Sequence, residues 1–139
     1  MARFNDYVDD VHDWNVEAGH LPLPPEHLDR WENDEDYREL ALTLIEEEVD
    51  ELREAVEDQD PVETLDALCD ILFTVFGLAA KSGHDTILEA GLKEVIDSNF
   101  TKVRGEKVYL DNGKVGKPVG YKPPKLEPIV NEAYKRGLI

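Results

Sequence analysis

The chain has 139 residues, enough for one domain with a substantial core but too few for two. Its 32 acids against 15 bases give a formal net charge of -17, which excludes a general nucleic-acid binder, because such a protein needs a basic face. Hydrophobic residues make up 41%, so disorder is excluded despite the charge, and the balance suits a protein that recruits divalent cations or stays soluble in a salty habitat.

In chain order, Phe4, Tyr7, Val8, Val11 and Trp14 recur at helical spacing and predict a first amphipathic helix that stops near Gly19. The stretch HLPLPPEHLDRWENDED carries Pro22, Pro24 and Pro25 and reads as an extended connection. A second long helix is expected from about Asp36 to about Glu57. Asp60 can then cap a further helix, with Pro61 at its first position and Glu63 placed to complete a capping box. That helix should run to about Lys81 with Gly83 as C-cap, and its apolar sequence on nearly all sides marks it as central and buried. Asp85 is expected to cap another amphipathic helix through Ile87, Leu88, Leu92, Val95, Ile96 and Phe100. Beyond it, two short β-type runs flank Asp111-Asn112-Gly113, a hairpin signal. A proline-containing tail and a short final helix near PIVNEAYKRGLI complete the chain. The expected fold is therefore all-α: an antiparallel bundle of four main helices, about 3 to 104, and an irregular C-terminal arm, about 105 to 139, in one domain.

The chain has one cysteine, Cys69, so no internal disulfide framework exists. It falls in an apolar helical run and is expected in the core. No apolar run reaches transmembrane length, and the start MARFNDYVDD is too acidic for a signal peptide. These features predict a soluble cytoplasmic protein without a membrane partner.

The carboxylates of two successive helices point the wrong way for a soluble protein. In LTLIEEEVDELREAVED, Leu44, Ile45, Leu52 and Ala55 share one helical face. Glu48 lies between them, and Glu47 and Glu51 stand beside the stripe. In ETLDALCDILFTVFG, Asp70 interrupts the apolar run, Asp66 lies four residues earlier on the same face, and no basic residue is available to pair with either. An ionised carboxylate buried without a partner costs several kcal/mol or shifts its pKa strongly. Taken alone, EEEVDE is an ordinary solvated face and Asp70 an ordinary core polar residue. Acids aimed inward on both helices point instead to a bound hard cation, Mg²⁺, Mn²⁺ or Ca²⁺. Di-iron bundles also use inward Glu but add a Glu-x-x-His pair on each of two helices, and of His12, His20, His27 and His84 only His20 follows a Glu at that spacing, Glu17, across the expected helix stop at Gly19.

EEVDEL, followed about twenty residues later by DALCDILFTVFG and then by SNFTK, resembles the MazG-like all-α nucleotide pyrophosphohydrolases over about residues 40 to 103. The tail GKVGKPVGYKPP is similar to that of the subgroup related to phosphoribosyl-ATP pyrophosphohydrolase, found in phages and bacteria. The family pattern, Glu-x-x-Glu and then Glu-x-x-Asp, is met by Glu48, Glu51 and Asp70. Ala67 stands where the pattern has Glu, and the adjacent Asp66 is a candidate substitute. The resemblance implies hydrolysis of nucleoside triphosphates between the α and β phosphates. It implies Mg²⁺, with Mn²⁺ as an alternative, held by Glu48, Glu51, Asp70 and Asp66, and Glu47 as ligand or as base for the attacking water. It also implies that Asn99, Lys102 and, more weakly, Arg104 bind substrate.

Asn99 shares a face with Leu92, Val95 and Ile96 and is expected to point inward. A nearly all-apolar third helix needs more neighbours than one chain supplies, so a homodimer or homotetramer is expected. Deoxynucleotides are the preferred substrate class in this reading. Three alternatives compete: a hydrolase of phosphoribosyl-ATP, a non-enzymatic acidic DNA mimic, and a scaffold whose site is disabled at Ala67. The mimic needs its acids outside the apolar stripe, and here they point into it.

Overall fold

The computed structural model describes residues 1–139. It contains α1 (Phe4–Glu17), α2 (Glu26–Asn33), α3 (Glu35–Glu57), α4 (Pro61–Ser82), a 3-10 turn (His84–Thr86), α5 (Leu88–Phe100) and α6 (Glu127–Lys135). No helix is long and apolar enough to cross a membrane. The chain divides into two compact units, 1–86 with Ile139, and 87–138.

The first unit is built on the antiparallel hairpin of α3 and α4, the most extensive helix pairing in the protein. Local chemistry sets its boundaries. Asp34 caps α3 by accepting from the Tyr37 amide at 3.1 Å. Asp60 caps α4 by accepting from the amides of Val62 and Glu63 at 3.0 and 3.1 Å, with Pro61 at the first helical position. Gly83 ends α4 at φ +79°, a left-handed conformation that glycine adopts without strain. The expected capping box does not close, because the Asp60 amide already donates to the Ala55 carbonyl at 3.1 Å.

Antiparallel register follows from two facing pairs. Tyr37 of α3 meets Lys81 of α4, whose ammonium lies 5.4 Å from the ring centroid, and Glu48 meets Asp70. Tyr37 and Glu48 are eleven residues apart, as are Asp70 and Lys81, so the pairs are roughly 16 Å apart along the hairpin. Tyr37, Ala41, Ala55, Ala67, Ala79 and Ala80 are buried, and the small residues allow close approach of the two helices. α1 adds Val8 and Val11 to this core and packs Phe4 edge-on to Phe76 and Trp14 edge-on to Phe73, at 5.5 and 5.1 Å between centroids. His12 of α1 is tied to Asp85 of the 3-10 turn at 3.0 Å.

Several expectations are corrected. The proline-rich connection is extended only at its start. Glu26–Asn33 forms α2, whose side His27 is buried, because the prolines all precede it and none interrupts its turns. Asp85 does not cap α5: it sits in the 3-10 turn and pairs with His12, and α5 begins at Leu88 with Ile87 at the N-cap position, without a side-chain cap. Cys69 is exposed rather than buried. α1 covers α4 near Phe73 and Phe76, and the earlier turns holding Val62, Leu65, Leu68 and Cys69 are left open, with Val62 and Leu65 at 72% and 63% exposure.

The second unit contains α5, the arm and α6. No β-hairpin forms. The turn at Asp111-Asn112-Gly113 is present, with Gly113 at φ +83°, but it supports only an isolated bridge between Tyr109 and Val115. The flanking runs are short, largely exposed, and have no third strand or packed face to stabilise them. The arm is instead tied to α5 by side chains, described below.

Replacing Asp60 with Ala should lower stability by about 1 kcal/mol, because two amides at the start of α4 lose their acceptor. Denaturant unfolding is the check, and Asp60→Asn should retain most of the stability.

Candidate metal centre

Glu48 and Glu51 lie one turn apart on α3, and Asp70 lies opposite on α4. One carboxylate oxygen from each falls within 4.8 Å of the other two. Glu48 and Asp70 are half-buried and Glu51 is exposed, so the cluster is open on one side. The Glu48 Oε2 atom is fully covered and has no hydrogen-bond partner. No cation compensates the group: the ion pairs of the chain are His12–Asp85, Arg30–Asp34 and Lys93–Asp97.

The electrostatic consequence is visible in the protonation equilibria. Burial raises the pKa of Glu48, and the neighbouring charges of Glu51 and Asp70 raise it further. Burial likewise raises that of Asp70, helped by Asp66 and then Glu51. A hollow of about 360 Å³ lined by Glu51, Glu54, Asp58, Asp60 and Glu63 extends the acidic surface towards the α3–α4 turn.

An orphaned, desolvated carboxylate oxygen facing two other carboxylates fits a hard divalent cation held by oxygen ligands. Removal of any one acid would leave the others still unpaired, whereas a cation satisfies all three at once. The donor set contains no nitrogen or sulfur, which suits Mg²⁺ or Mn²⁺ better than zinc or copper.

The remaining expected site residues fall around or apart from this cluster. Glu47 and Asp66 are exposed and stand outside the three-oxygen group, although Asp66 is close enough for its charge to be felt by both Glu48 and Asp70. Ala67 is buried against the hairpin core, so the position where the family pattern has Glu is a packing position in this chain. Asn99 does not point inward. It is exposed and its amide donates to the Val95 carbonyl of its own helix at 3.0 Å. The buried residue of that turn is Ser98, one position earlier, whose hydroxyl donates to the Lys122 carbonyl at 2.7 Å. Lys102 lies 5.6 Å from the Tyr121 ring centroid and Arg104 stacks 4.6 Å from that of Phe100. Asn99, Lys102 and Arg104 belong to the second unit, and the three metal-site acids to the first. The tethering role of Ser98 and Thr101 had a signal in SNFTK, two hydroxyls one turn apart, which the more conspicuous Asn and Lys obscured.

The site class is thus an all-α hairpin that brings three carboxylates without a basic partner together, a set that could hold a divalent cation. The model of the family described as phosphoribosyl-ATP pyrophosphohydrolase matches residues 21–99, and the chain belongs to that family, within the MazG-like all-α nucleotide pyrophosphohydrolase superfamily. A search of curated proteins finds no match. The matched segment spans α2, α3, α4 and all but the last residue of α5, and so contains the whole carboxylate cluster. Membership implies pyrophosphohydrolase activity on nucleotide-like substrates, and the family is typically metal-dependent.

Raised carboxyl pKa values mean that the folded, metal-free chain binds protons more readily than the unfolded chain. The stability contributed by Glu48 and Asp70 is complete below the ordinary carboxylate range and is lost as pH rises through the raised values. Metal-free protein should therefore gain stability as the pH falls from neutral towards the ordinary carboxylate range. The net charge of -17 contributes to the same trend, so the comparison with Glu48→Gln is the readout. That variant should be more stable than wild type at neutral pH and show a smaller gain on acidification. Thermal unfolding in EDTA at several pH values measures both.

Proposed function

We propose that the protein hydrolyses nucleoside triphosphates between the α and β phosphates, releasing a nucleoside monophosphate and pyrophosphate, with deoxynucleotides preferred. The observation that carries this reading is the Glu48–Glu51–Asp70 cluster with its unpartnered Glu48 oxygen. Membership of a pyrophosphohydrolase family supplies the bond that is cleaved.

Glu48, Glu51 and Asp70 would hold Mg²⁺. When bound, the ion acidifies a coordinated water and offsets the charge of the polyphosphate. The three carboxylates fix the ion by a rigid hairpin rather than by loops, which favours a reproducible geometry. Glu47, exposed one turn before Glu51, is proposed as a further ligand or as the base that accepts a proton from the attacking water. Asp66 adds negative charge beside Asp70 and strengthens the hold on the cation. Asn99, Lys102 and Arg104 are the residues proposed to bind substrate, in a chain read as one pyrophosphohydrolase domain.

A second reading has the same chemistry and a different substrate, phosphoribosyl-ATP. The description of the matching family favours it.

We also infer that the working protein is a homo-oligomer. Val62, Leu65, Leu68 and Leu72 of α4 are exposed together at 72%, 63%, 46% and 53%, a patch that a second copy would cover. Light scattering after size exclusion should give a dimer or tetramer, and Leu65→Asp should shift it towards the monomer.

A hydrolysis panel tests the activity. Purified protein is incubated with the common ribo- and deoxyribonucleoside triphosphates and with phosphoribosyl-ATP, in Mg²⁺ or EDTA, and the products are separated by ion exchange. The expected products are monophosphate and pyrophosphate, abolished by EDTA. Asp70→Asn should lower turnover at least about 100-fold, since even changes one shell outside a metal cost 10–100-fold. Release of diphosphate and orthophosphate would refute the proposed bond.

A further inference from the structure

The second unit has a charge pattern opposite to that of the chain. Between Thr101 and Leu126 stand seven Lys or Arg residues and two acids, in a protein with 15 bases and 32 acids. A cleft of about 490 Å³ opens in this segment, with Arg104, Glu106, Val108, Val119 and Lys122 in its lining. Its size lies in the range of small-molecule sites.

The cleft is held in shape by specific bonds. The Lys122 carbonyl accepts from Ser98 Oγ at 2.7 Å, and the Lys122 amide donates to Thr101 Oγ1 at 2.9 Å. Three residues on, the Lys125 amide donates to Glu94 at 3.2 Å. These bonds fasten the Lys122 segment to α5. Arg104 is oriented by its stacking on Phe100, which leaves its guanidinium edges available. Lys102 and Lys117 both approach the Tyr121 ring, at 5.6 and 5.3 Å, and add positive charge beside Lys122. None of these four cations makes an ion pair. In a protein of net charge -17, four unpaired cations on a tethered loop define a place for an anion.

The lining also has an apolar, uncovered part: Val119 is fully exposed, and Val108 is 42% exposed. Gly105 and Gly120 carry no side chain into the cleft and let a ligand approach the backbone. The ligand chemistry that matches is an anionic end for Arg104 and Lys122, a flat apolar part for Val108 and Val119, and a hydrogen-bond donor for Glu106. A nucleoside phosphate has all three, the donor being a ribose hydroxyl or an exocyclic amine.

We propose that this cleft is a nucleoside phosphate site that fills without a divalent cation. The site lies almost wholly outside the family match, which ends at residue 99. The inference rests on the nucleotide reading above for the choice of ligand and for the substrate role of Lys102 and Arg104, and not on the carboxylate cluster. The ligand has two possible sources, an intact triphosphate or a monophosphate, which share the same chemistry.

The test is an amide-shift titration of the ¹⁵N-labelled full-length chain in EDTA, which takes the carboxylate centre out of play. AMP, ATP and adenosine are added in separate arms. Shifts should concentrate between Thr101 and Lys122, and adenosine should produce none there at the same concentrations. Arg104→Ala and Lys122→Ala should each weaken binding about tenfold, the loss expected for one charge-assisted contact. Because Lys122 is held through its backbone, its side-chain truncation should leave the fold intact, which the unperturbed remainder of the spectrum would verify. Binding of AMP supports the proposal with product as the source, and binding of ATP alone supports it with substrate as the source. Absence of arm shifts with both nucleotides, or binding insensitive to both substitutions, overturns it. Hydrolysis without arm binding defeats this inference and the substrate role of Lys102 and Arg104 but leaves the carboxylate centre standing, and arm binding without hydrolysis defeats only the catalytic reading.

Discussion

The covered oxygen of Glu48 is the constraint on which the functional account depends. Backbone and core of the first unit could be satisfied by an apolar residue at that position, since Leu44 and Leu52 lie one turn away on either side. The chain instead places a carboxylate there, opposite Asp70, leaves its Oε2 without a hydrogen-bond partner, and supplies no basic partner. Desolvation and like charge both oppose ionisation at that point. In the proposed function that cost is offset by a cation, which would neutralise what no side chain does.

The rest of the first unit serves to hold that position still. The α3–α4 hairpin is capped at Asp34 and Asp60 and closed by Gly83, so the facing residues keep their register over roughly 16 Å from the Tyr37–Lys81 contact to the acids. Lys81 illustrates the same logic with opposite sign. It is buried against the Tyr37 ring, burial and then Arg30 lower its pKa, and it lies far from the carboxylates it might otherwise neutralise. α1 and the His12–Asp85 pair brace the Lys81 end of the hairpin, while the carboxylate end keeps an open flank and an exposed apolar patch.

Much of this was legible in the sequence because it is local. Helical periodicity and the strong punctuation around Asp60, Pro61 and Gly83 locate α3 and α4 to within a residue or so, and the same periodicity reveals that Glu48 and Asp70 face inward. What failed depended on neighbours distant in sequence. Burial of Cys69 could not be judged without knowing that α1 covers only the later turns of α4. Asn99 and Ser98 differ by one position, and only the arm's need for a donor at the Lys122 carbonyl decides which is buried. The β-type runs around Gly113 had the turn but no packed face to make strands of them. α2 was masked by three prolines that lie just outside it. Within the acids, spacing alone could not separate Glu48, Glu51 and Asp70, whose oxygens converge, from Glu47 and Asp66, which stay outside the group.

The central claim is that Glu48, Glu51 and Asp70 together hold a divalent cation. Water-proton relaxation during Mn²⁺ titration of the metal-free chain measures it most directly, because it reports bound ion without requiring a substrate. The account predicts a saturable site on the wild-type protein, competed by Mg²⁺ and lost together in Glu48→Gln and Asp70→Asn. Equal Mn²⁺ binding by wild type and both variants would contradict it and return the acids to the role of a strained but passive seam.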